Sequence, residues 1–249
     1  MDDLIDTTAI VVGASRGLGR GIATALAEAG FAQVVAVARS AAALESLATG
    51  AIAITPDVAD ASNVELPGRL IDRYNPNVVV LVAGAAPTIR PIQDQTWETF
   101  SVNWQADVRI TFNWLREMLL KPLRPGSRVV VISSGAALAG SPLSGGYAGA
   151  KATQRFLTGY AQDEARRAGL EITFTAVLPR ITPLTDLGRV AVQAYAARAG
   201  QTEEEYVQQI GPLVSPETAG AALVELVQAE VATVAPAYLL TGAGLEKLQ

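Results

Sequence analysis

The stretch "AIVVGASRGLGRG" (9–21) joins an apolar run to closely spaced glycines and then to a helical pattern. The apolar run predicts a buried strand, and "LGRGIATALAEAG" (18–30) has helical spacing with Gly30 as its stop signal. Glycines between a strand and a helix let the backbone approach a pyrophosphate closely, while amides at the helix N-terminus face the anion. The alternative is a glycine-rich turn that binds nothing, but the position directly after the first strand favours a dinucleotide-binding loop. The candidate cofactor contacts in this loop are Gly13, Ser15, Arg16, Gly17, Leu18 and Gly19.

Beyond this loop, short apolar runs alternate with helical patterns along the chain. The runs are "QVVAVA" (33–38), "AIAIT" (51–55), "VVVLVAG" (78–84), "RVVVISS" (128–134) and "EITFTAVL" (171–178). Several are apolar throughout, which is typical of parallel strands covered by helices on both faces. Right-handed crossovers then predict an α/β fold, a Rossmann-type doubly wound parallel sheet of about seven strands.

The same pattern predicts the domain organisation. No repeat, low-complexity tract or linker marks a second domain, so we expect residues 1–249 to form a single domain. Only the segment at about 184–215 interrupts the alternation of strands and helices. We expect it to form a helical lid that closes over the substrate and excludes water.

Composition argues against several classes of partner. The chain has a net charge of −5 and no cluster of Lys or Arg, so we expect no nucleic-acid binding. It has no cysteine, which removes disulfides and thiolate metal sites, and we expect no metal. No apolar run reaches the roughly 18 residues that span a bilayer, and the start "MDDLIDTT" is acidic where a secretory signal is basic. We therefore expect no membrane association and a cytoplasmic location.

The end of the second predicted strand bears on the choice of cofactor. An acidic residue there would hold the ribose 2′-hydroxyl of NAD, whereas a cation suits the 2′-phosphate of NADP. The sequence has Ala38 and then Arg39, and Arg16 in the glycine loop can approach the same phosphate. We predict NADP(H); the alternative is that Arg39 is a solvated surface side chain.

A tyrosine and a lysine offer acid/base chemistry in a chain that contains no histidine. "SGGYAGAK" (144–151) places Tyr147 four residues before Lys151, so both lie on one helical face. A close ammonium lowers the pKa of a phenol, ordinarily about 10, by about 1–3 units. The phenol could then give and take a proton near neutrality, although such a pair can also be an ordinary helix contact.

The surrounding residues carry a family resemblance. Ser134 stands thirteen residues before Tyr147, at the carboxyl end of an apolar run. The chain also contains "GASRGLG" (13–19), Asp57-Val58, Ala83-Gly84 and "VNWQA" (102–106) in that order. With Lys151 completing the set, the sequence resembles the classical short-chain dehydrogenase/reductase family over nearly its whole length.

This resemblance implies roles for individual residues. Tyr147 would exchange the proton with a carbonyl or alcohol, Ser134 would hydrogen-bond its oxygen, and Lys151 would bind the nicotinamide ribose and lower the tyrosine pKa. Asn103 would hold a water in a proton relay. Asp57 and Val58 would lie at the adenine. The remaining candidate cofactor contacts are Ala83, Gly84, Pro179 and Thr182, with Thr185 as the competitor of Thr182. For Ser134 a simple turn, and for Asn103 a helix cap or turn, remain the alternatives.

Three positions depart from the family pattern. Leu81 and Val82 stand where paired asparagines are usual, Arg180 stands where a glycine usually follows Pro179, and the C-terminal stretch lacks the usual Asp-Gly-Gly. Arg180 either turns to solvent or to an acid of the lid, or meets an anionic group of the substrate.

The resemblance leads to an NADP(H)-dependent oxidoreductase acting on a carbonyl or secondary alcohol of a small molecule, as a homotetramer or homodimer. The alternative function is a catalytically degenerate nucleotide-binding or regulatory module of the same fold. An epimerase or dehydratase is disfavoured because the chain lacks the long C-terminal substrate domain of those relatives.

Overall fold

In the computed structural model, which describes residues 6–51 and 53–248, apolar segments form the strands of one sheet. Its strands are β1 (Thr8–Val12), β2 (Gln33–Ala38), β3 (Ile54–Val58), β4 (Val78–Leu81), β5 (Arg128–Ile132), β6 (Thr173–Pro179), β7 (Ala237–Thr241) and β8 (Gly244–Leu248). The α-helices are α1 (Gly17–Glu28), α2 (Ala41–Thr49), α3 (Leu66–Tyr74), α4 (Trp97–Asn103), α5 (Arg109–Leu120), α6 (Ala136–Ala139), α7 (Gly145–Arg167), α8 (Asp186–Ala199), α9 (Glu203–Ile210) and α10 (Pro216–Gln228).

The order of strands across the sheet is β3-β2-β1-β4-β5-β6-β7-β8. Strands β1 to β7 are parallel. The first three strands are added towards one edge of the sheet and β4 to β7 towards the other, so the strand order reverses between β1 and β4. This confirms the doubly wound α/β fold and places a ligand-binding crevice at the carboxyl ends of those two strands. The sheet has eight strands among the described residues rather than about seven, because the C-terminal residues form an antiparallel hairpin of β7 and β8.

The third strand lies further along the chain than the sequence predicts. The apolar run at 51–55 predicts a strand, but β3 extends from Ile54 to Val58 and includes Pro56. A proline removes one ladder hydrogen bond, which is tolerated at the edge of a sheet. Strand β3 is such an edge strand, because only β2 pairs with it.

Alternate residues of the central strands pack into two separate cores. In β1, Ala9 and Val11 belong to the core beneath α1, α2 and α10, whereas Ile10 and Val12 belong to the core beneath α3, α5 and α7. All four side chains are completely buried. Burial on both faces explains why these strands are apolar throughout.

Two helices that cover one face make a close contact through glycines. A Cβ on Gly220 of α10 would lie 2.7 Å from the Gly21 carbonyl oxygen of α1, and one on Gly21 would lie 2.2 Å from the Pro216 carbonyl oxygen. This contact holds α1, and with it the loop that precedes it, against the C-terminal part of the chain. Within the described residues, no helix is both long enough and apolar enough to traverse a lipid bilayer.

Candidate active site

A cleft of about 1530 Å³ opens at the carboxyl ends of the parallel strands. The glycine loop after β1 lies at one end, and the segment after β6 with the start of α8 covers the other. Ser134, Tyr147 and Lys151 all line this cleft, as do Arg39 and Arg180. The topology therefore brings together residues that are up to 226 positions apart in sequence, from Gly13 to Leu239.

The glycine loop has the shape of an anion cradle. Gly13 has a φ of +99°, and a Cβ there would lie 2.6 Å from the Ala83 backbone nitrogen. Gly17 also has a positive φ of +53°, and the only neighbour of a Cβ there would be the Thr185 side chain. Helix α1 begins without a side-chain cap, so its first N–H groups stay available to a ligand. Ser15, Leu18 and Gly19 line the same cleft, and these residues fit the pyrophosphate of a dinucleotide.

Two arginines lie at this end of the cleft. Arg16 is largely exposed and makes a long ion pair with Asp186 of α8, at 3.9 Å. Arg39 follows β2 and is also exposed. Hydrogen bonds from the Ser62 backbone N–H and hydroxyl, followed by the charge of Arg39, lower the pKa of Asp60 more than burial raises it. Arg39 therefore has a carboxylate neighbour that the sequence did not indicate.

Asp57 and Val58 end β3, directly before a segment that lines the cleft. The Asp57 carboxylate accepts hydrogen bonds from Arg69, at 3.1 and 3.4 Å, and is nearly buried. This adjoining segment extends from Ala59 to Ser62. The adenine contacts of Asp57 and Val58 stay a prediction. Asp57 would have to contact the adenine while its carboxylate remains paired with Arg69.

The residues after β4 show how the chain accommodates the missing asparagines. Leu81 is buried in the core beneath α3, α5 and α7, and the backbone N–H groups of Val82 and Ala83 both donate to the Val12 carbonyl. Ala83 and Gly84 line the cleft, and their contacts with a cofactor stay a prediction. Leu81 and Val82 thus have no side-chain amide that would need a hydrogen-bond partner.

Ser134 and Tyr147 reach the cleft from two neighbouring elements. Ser134 lies just beyond β5, and its hydroxyl accepts a hydrogen bond from the Ala136 N–H at 3.2 Å. Tyr147 lies in the first turn of α7 and is half-buried. Gly146 lets this turn approach α4 closely, because a Cβ there would overlap the Phe100 carbonyl oxygen. The packing of α4 on α7 therefore sets the position of Tyr147.

Lys151 is buried next to an acid. Its Nζ lies 3.1 Å from Asp107 Oδ2 and 5.5 Å from the centroid of the Tyr147 ring, and it donates to the Ile132 carbonyl at 3.4 Å. Burial lowers the pKa of Lys151, but the charge of Asp107, that of Tyr147 and the hydrogen bond with Asp107 outweigh it. The pKa of Lys151 consequently lies above its ordinary value of 10.5.

Asn103 is buried beneath these residues and is not a helix cap. Its Nδ2 donates to the Ala85 carbonyl at 2.7 Å and to Asp107 Oδ1 at 3.3 Å. Its Oδ1 has no hydrogen-bond partner among the described protein atoms. Asn103 thus ties the chain after α4 to the loop after β4, and its role in holding a water stays a prediction.

Asp107 is the residue of this site that sequence reasoning missed. It lies in a π-helical segment, Trp104–Val108, that joins α4 to α5. Single turns of π-helix occur frequently at functional sites. The available signal was an acid four residues after Asn103 in a helical stretch, but nothing in the sequence pairs it with Lys151.

The segment after β6 closes the other end of the cleft. Pro179, Thr182 and Thr185 line it; the Thr182 hydroxyl accepts from the Leu184 N–H, and the Thr185 hydroxyl caps α8 by accepting from the Gly188 N–H. Both threonines stay candidates for the cofactor contact, and Thr185 lies directly beside the glycine loop.

Arg180, Tyr195 and Tyr206 also line the cleft. Arg180 is exposed, lines the cleft and makes no ion pair within residues 6–51 and 53–248. The ring of Tyr195 in α8 stacks on that of Tyr206 in α9, with centroids 6.4 Å apart, and the Tyr195 hydroxyl hydrogen-bonds Ser141. Helices α8 and α9 lie in the inserted segment, and its role as a lid over the substrate stays a prediction. For Tyr195 the structure shows packing within this segment.

Comparisons with known proteins agree with this geometry. The family model described as short chain dehydrogenase matches residues 7–196. A 3-oxoacyl-[acyl-carrier-protein] reductase from Synechocystis is 31% identical over 226 residues, which cover 82% of this chain and 87% of the relative. Versicolorin reductase 1 from Aspergillus parasiticus is 29% identical over 218 residues, with coverages of 84% and 81%.

A solved structure shares the fold. The crystal structure of a single-residue variant of the actinorhodin polyketide ketoreductase with NADPH superposes with a TM-score of 0.80 at 22% identity, covering 98% of both chains. Family model, relatives and fold lead to one conclusion. The chain belongs to the short-chain dehydrogenase/reductase family of nicotinamide-dependent oxidoreductases.

Proposed function

We propose that the protein is an NADP(H)-dependent reductase of a small-molecule carbonyl, with Tyr147 as its acid/base. The observation that carries this proposal is the single cleft that holds Ser134, Tyr147 and Lys151 together with the glycine loop. A bound nicotinamide supplies the hydride, so the protein must orient the substrate, deliver a proton and stabilise developing charge on oxygen.

Each step has a side chain in the cleft. The Ser134 hydroxyl orients the carbonyl oxygen, and the Tyr147 hydroxyl donates the proton that, with the hydride, converts the carbonyl to an alcohol. In the reverse direction the Tyr147 phenolate takes this proton. The Lys151 ammonium, 5.5 Å from the phenol ring centroid, would attract negative charge that develops on the phenol oxygen and would hold a ribose hydroxyl.

The preference for NADP(H) rests on Arg39 and Arg16. Both are exposed at the end of the cleft where an adenine ribose would follow a pyrophosphate held by the glycine loop. A guanidinium suits a phosphate because its planar fork can donate two parallel hydrogen bonds. NADPH is also named with the solved ketoreductase that shares this fold.

The alternative, a nucleotide-binding module without catalysis, would explain the departures at Leu81, Val82 and Arg180. Two observations favour the enzyme. Leu81 packs in the core and Val82 adds no unsatisfied side-chain group, and Ser134, Tyr147 and Lys151 all remain in one cleft. A module under no selection for catalysis would have been free to lose them.

A substitution of Tyr147 tests the proposed function. After fluorescence titration with NADPH and NADH, Tyr147→Phe is compared with the native protein across a panel of carbonyl compounds. We expect kcat to fall by about 10²–10⁴-fold, because the proton donor is lost, while NADPH binding persists. Tyr160→Phe, on the exposed side of the same helix, is the matched control and should keep full activity. Full turnover by Tyr147→Phe would contradict the assignment.

We also propose that the protein is a homo-oligomer, a dimer or tetramer. Helices α5 and α7 pack against each other and expose large apolar side chains at their outer surface: Phe112, Phe156 and Tyr160. Phe156 and Tyr160 are each 63% exposed and their rings stack. Burial of this surface against a second copy would remove it from water.

A further inference from the structure

The buried ion pair between Asp107 and Lys151 is the unexpected feature of the cleft. The Asp107 side chain is 1% exposed and that of Lys151 is 6% exposed, and the two charged atoms are 3.1 Å apart. A charge removed from water is costly unless it is paired and hydrogen-bonded. The pair therefore requires surrounding groups that keep the carboxylate and the ammonium close together.

The protein builds such an arrangement around the acid. Asp107 Oδ1 accepts from the Ala85 N–H at 2.8 Å and from Asn103 Nδ2 at 3.3 Å. The Asp107 carbonyl accepts from Gln154 Nε2 at 3.2 Å. Gly84 leaves the necessary room, because a Cβ there would lie 2.7 Å from the Asp107 carboxyl group. Two hydrogen bonds thus hold Oδ1 and a third holds the Asp107 backbone, which leaves Oδ2 3.1 Å from Lys151 Nζ.

We propose that Asp107 is a positioning residue, whose fixed carboxylate anchors the Lys151 ammonium in the floor of the cleft beside Tyr147. The proposal deepens the proposed function, since Lys151 acts on the reaction only through Tyr147 and the cofactor. Because the Asp107 side chain is 1% exposed, we expect it to act through Lys151 rather than by direct contact with the reacting atoms.

The charged groups near Lys151 determine whether its side chain is an ammonium or a neutral amine. Among the described residues, the titratable groups acting on Lys151 are Asp107, from the π-helical segment, and Tyr147, from α7; strand β5 adds the Ile132 carbonyl. Burial by itself would favour the neutral amine. With Asp107 present, the ammonium form of Lys151 persists beside Tyr147.

The titration of Lys151 can be measured directly, because the chain has only three lysines: Lys121, Lys151 and Lys247. Protein labelled with ¹³C at lysine Cε gives one NMR signal per lysine, assigned with Lys121→Arg and Lys247→Arg. In the native protein we expect Lys151 to titrate at a higher pH than an ordinary lysine, because Asp107 and Tyr147 favour its ammonium form. In Asp107→Asn, which keeps an acceptor for the Ala85 N–H, we expect Lys151 to titrate at a clearly lower pH than in the native protein, because its burial is no longer offset by a carboxylate.

An exposed ion pair supplies the matched control. Lys121 Nζ lies 2.6 Å from Asp72 Oδ2, but both side chains are about half exposed or more. Asp72→Asn should shift the Lys121 titration only slightly, because solvent screens this pair, and should leave the Lys151 signal unchanged. An unchanged Lys151 titration in Asp107→Asn would overturn the proposal.

Activity provides a second readout. We expect kcat of Asp107→Asn for carbonyl reduction to fall about tenfold or more at neutral pH and to recover partly as the pH is lowered and Lys151 regains its proton. A loss of the same size at every pH would indicate a merely structural role. If no carbonyl compound is reduced by the native protein, the proposed function fails, while the NMR titration still decides the role of Asp107.

A folding defect in Asp107→Asn would also be informative. The double variant Asp107→Asn/Lys151→Met removes both charges, and it should fold and melt at a higher temperature than Asp107→Asn alone. Failure of the double variant to restore folding would show that Asp107 does not act through Lys151, and would overturn the proposal.

Discussion

Arg39 is the side chain on which the proposed preference for NADP(H) chiefly depends. It is exposed at the end of β2, and the Asp60 carboxylate is within range of its charge. Arg39 thus has an anionic neighbour, with which a 2′-phosphate would compete. The strength of the preference follows from the balance between these two charges.

We predict that Arg39→Asp loses the preference for NADPH. The variant removes a cation and adds an anion beside the 2′-phosphate, so the Kd for NADPH should rise by about tenfold or more, whereas that for NADH changes little. Titration of nicotinamide fluorescence measures both constants. Asp60→Asn removes a negative charge close to Arg39, so we expect it to lower the Kd for NADPH. A variant Arg39→Asp that still prefers NADPH would remove the hypothesis.

Arg180 lines the cleft at the end closed by the segment after β6, and it makes no ion pair within the part of the chain that the structure describes. We propose that its guanidinium meets an anionic group of the substrate. Arg180→Ala should then raise KM about tenfold or more for carboxylated carbonyl compounds, with neutral ones unaffected. Arg189, also in the lid but paired with Asp186, serves as the control through Arg189→Ala. Equal effects on acidic and neutral compounds would place Arg180 outside substrate recognition.

The junctions between helices depend on glycines that sequence spacing alone does not distinguish. Gly220 of α10 faces α1, where a Cβ would lie 2.6 Å from Ala25 Cβ and 2.7 Å from the Gly21 carbonyl oxygen. Gly159 of α7 has no atom within 4 Å of such a Cβ. The two glycines are both helical and differ chiefly in what lies opposite them.

We predict opposite effects of alanine at these two positions. Gly220→Ala should lower the free energy of unfolding by about 1–3 kcal/mol, because α1 and α10 must move apart. Gly159→Ala should raise it by about 0.5–1 kcal/mol, since alanine is the better helix former and meets no neighbour. Urea unfolding followed by circular dichroism measures both. A stabilising Gly220→Ala would show that the helices can separate without cost.

The exposed apolar surface of α5 and α7 is the proposed contact between copies of the protein. We predict that Phe156→Glu shifts the protein from an oligomer towards the monomer, because a carboxylate would be buried at the proposed contact. Light scattering after size-exclusion chromatography gives the mass. Val64→Glu, at a position that is 61% exposed and precedes α3, is the control and should not change it. A native protein that is already a monomer would contradict the proposed oligomer.

Much of the fold could be predicted from the sequence, since burial on both faces makes the parallel strands apolar throughout. Two features could not. The strand at 51–55 lies instead at Ile54–Val58, because an edge strand tolerates Pro56. The eighth strand pairs antiparallel with β7 at the other edge, where one neighbour and a partly exposed surface give only a weak apolar pattern.

The sequence by itself determined the α/β fold, the glycine loop, the spacing of Ser134, Tyr147 and Lys151, and hence the family. These features depend on local patterns and on short separations along the chain. The pairing of Asp107 with Lys151, the proximity of Asp60 to Arg39 and the engagement of Asp57 by Arg69 were decided only by the tertiary structure. A side chain's partner comes from whichever element the packing brings alongside it, and the packing of α4 and its π-helical segment on α7 turns a carboxylate 44 residues earlier in the chain towards Lys151.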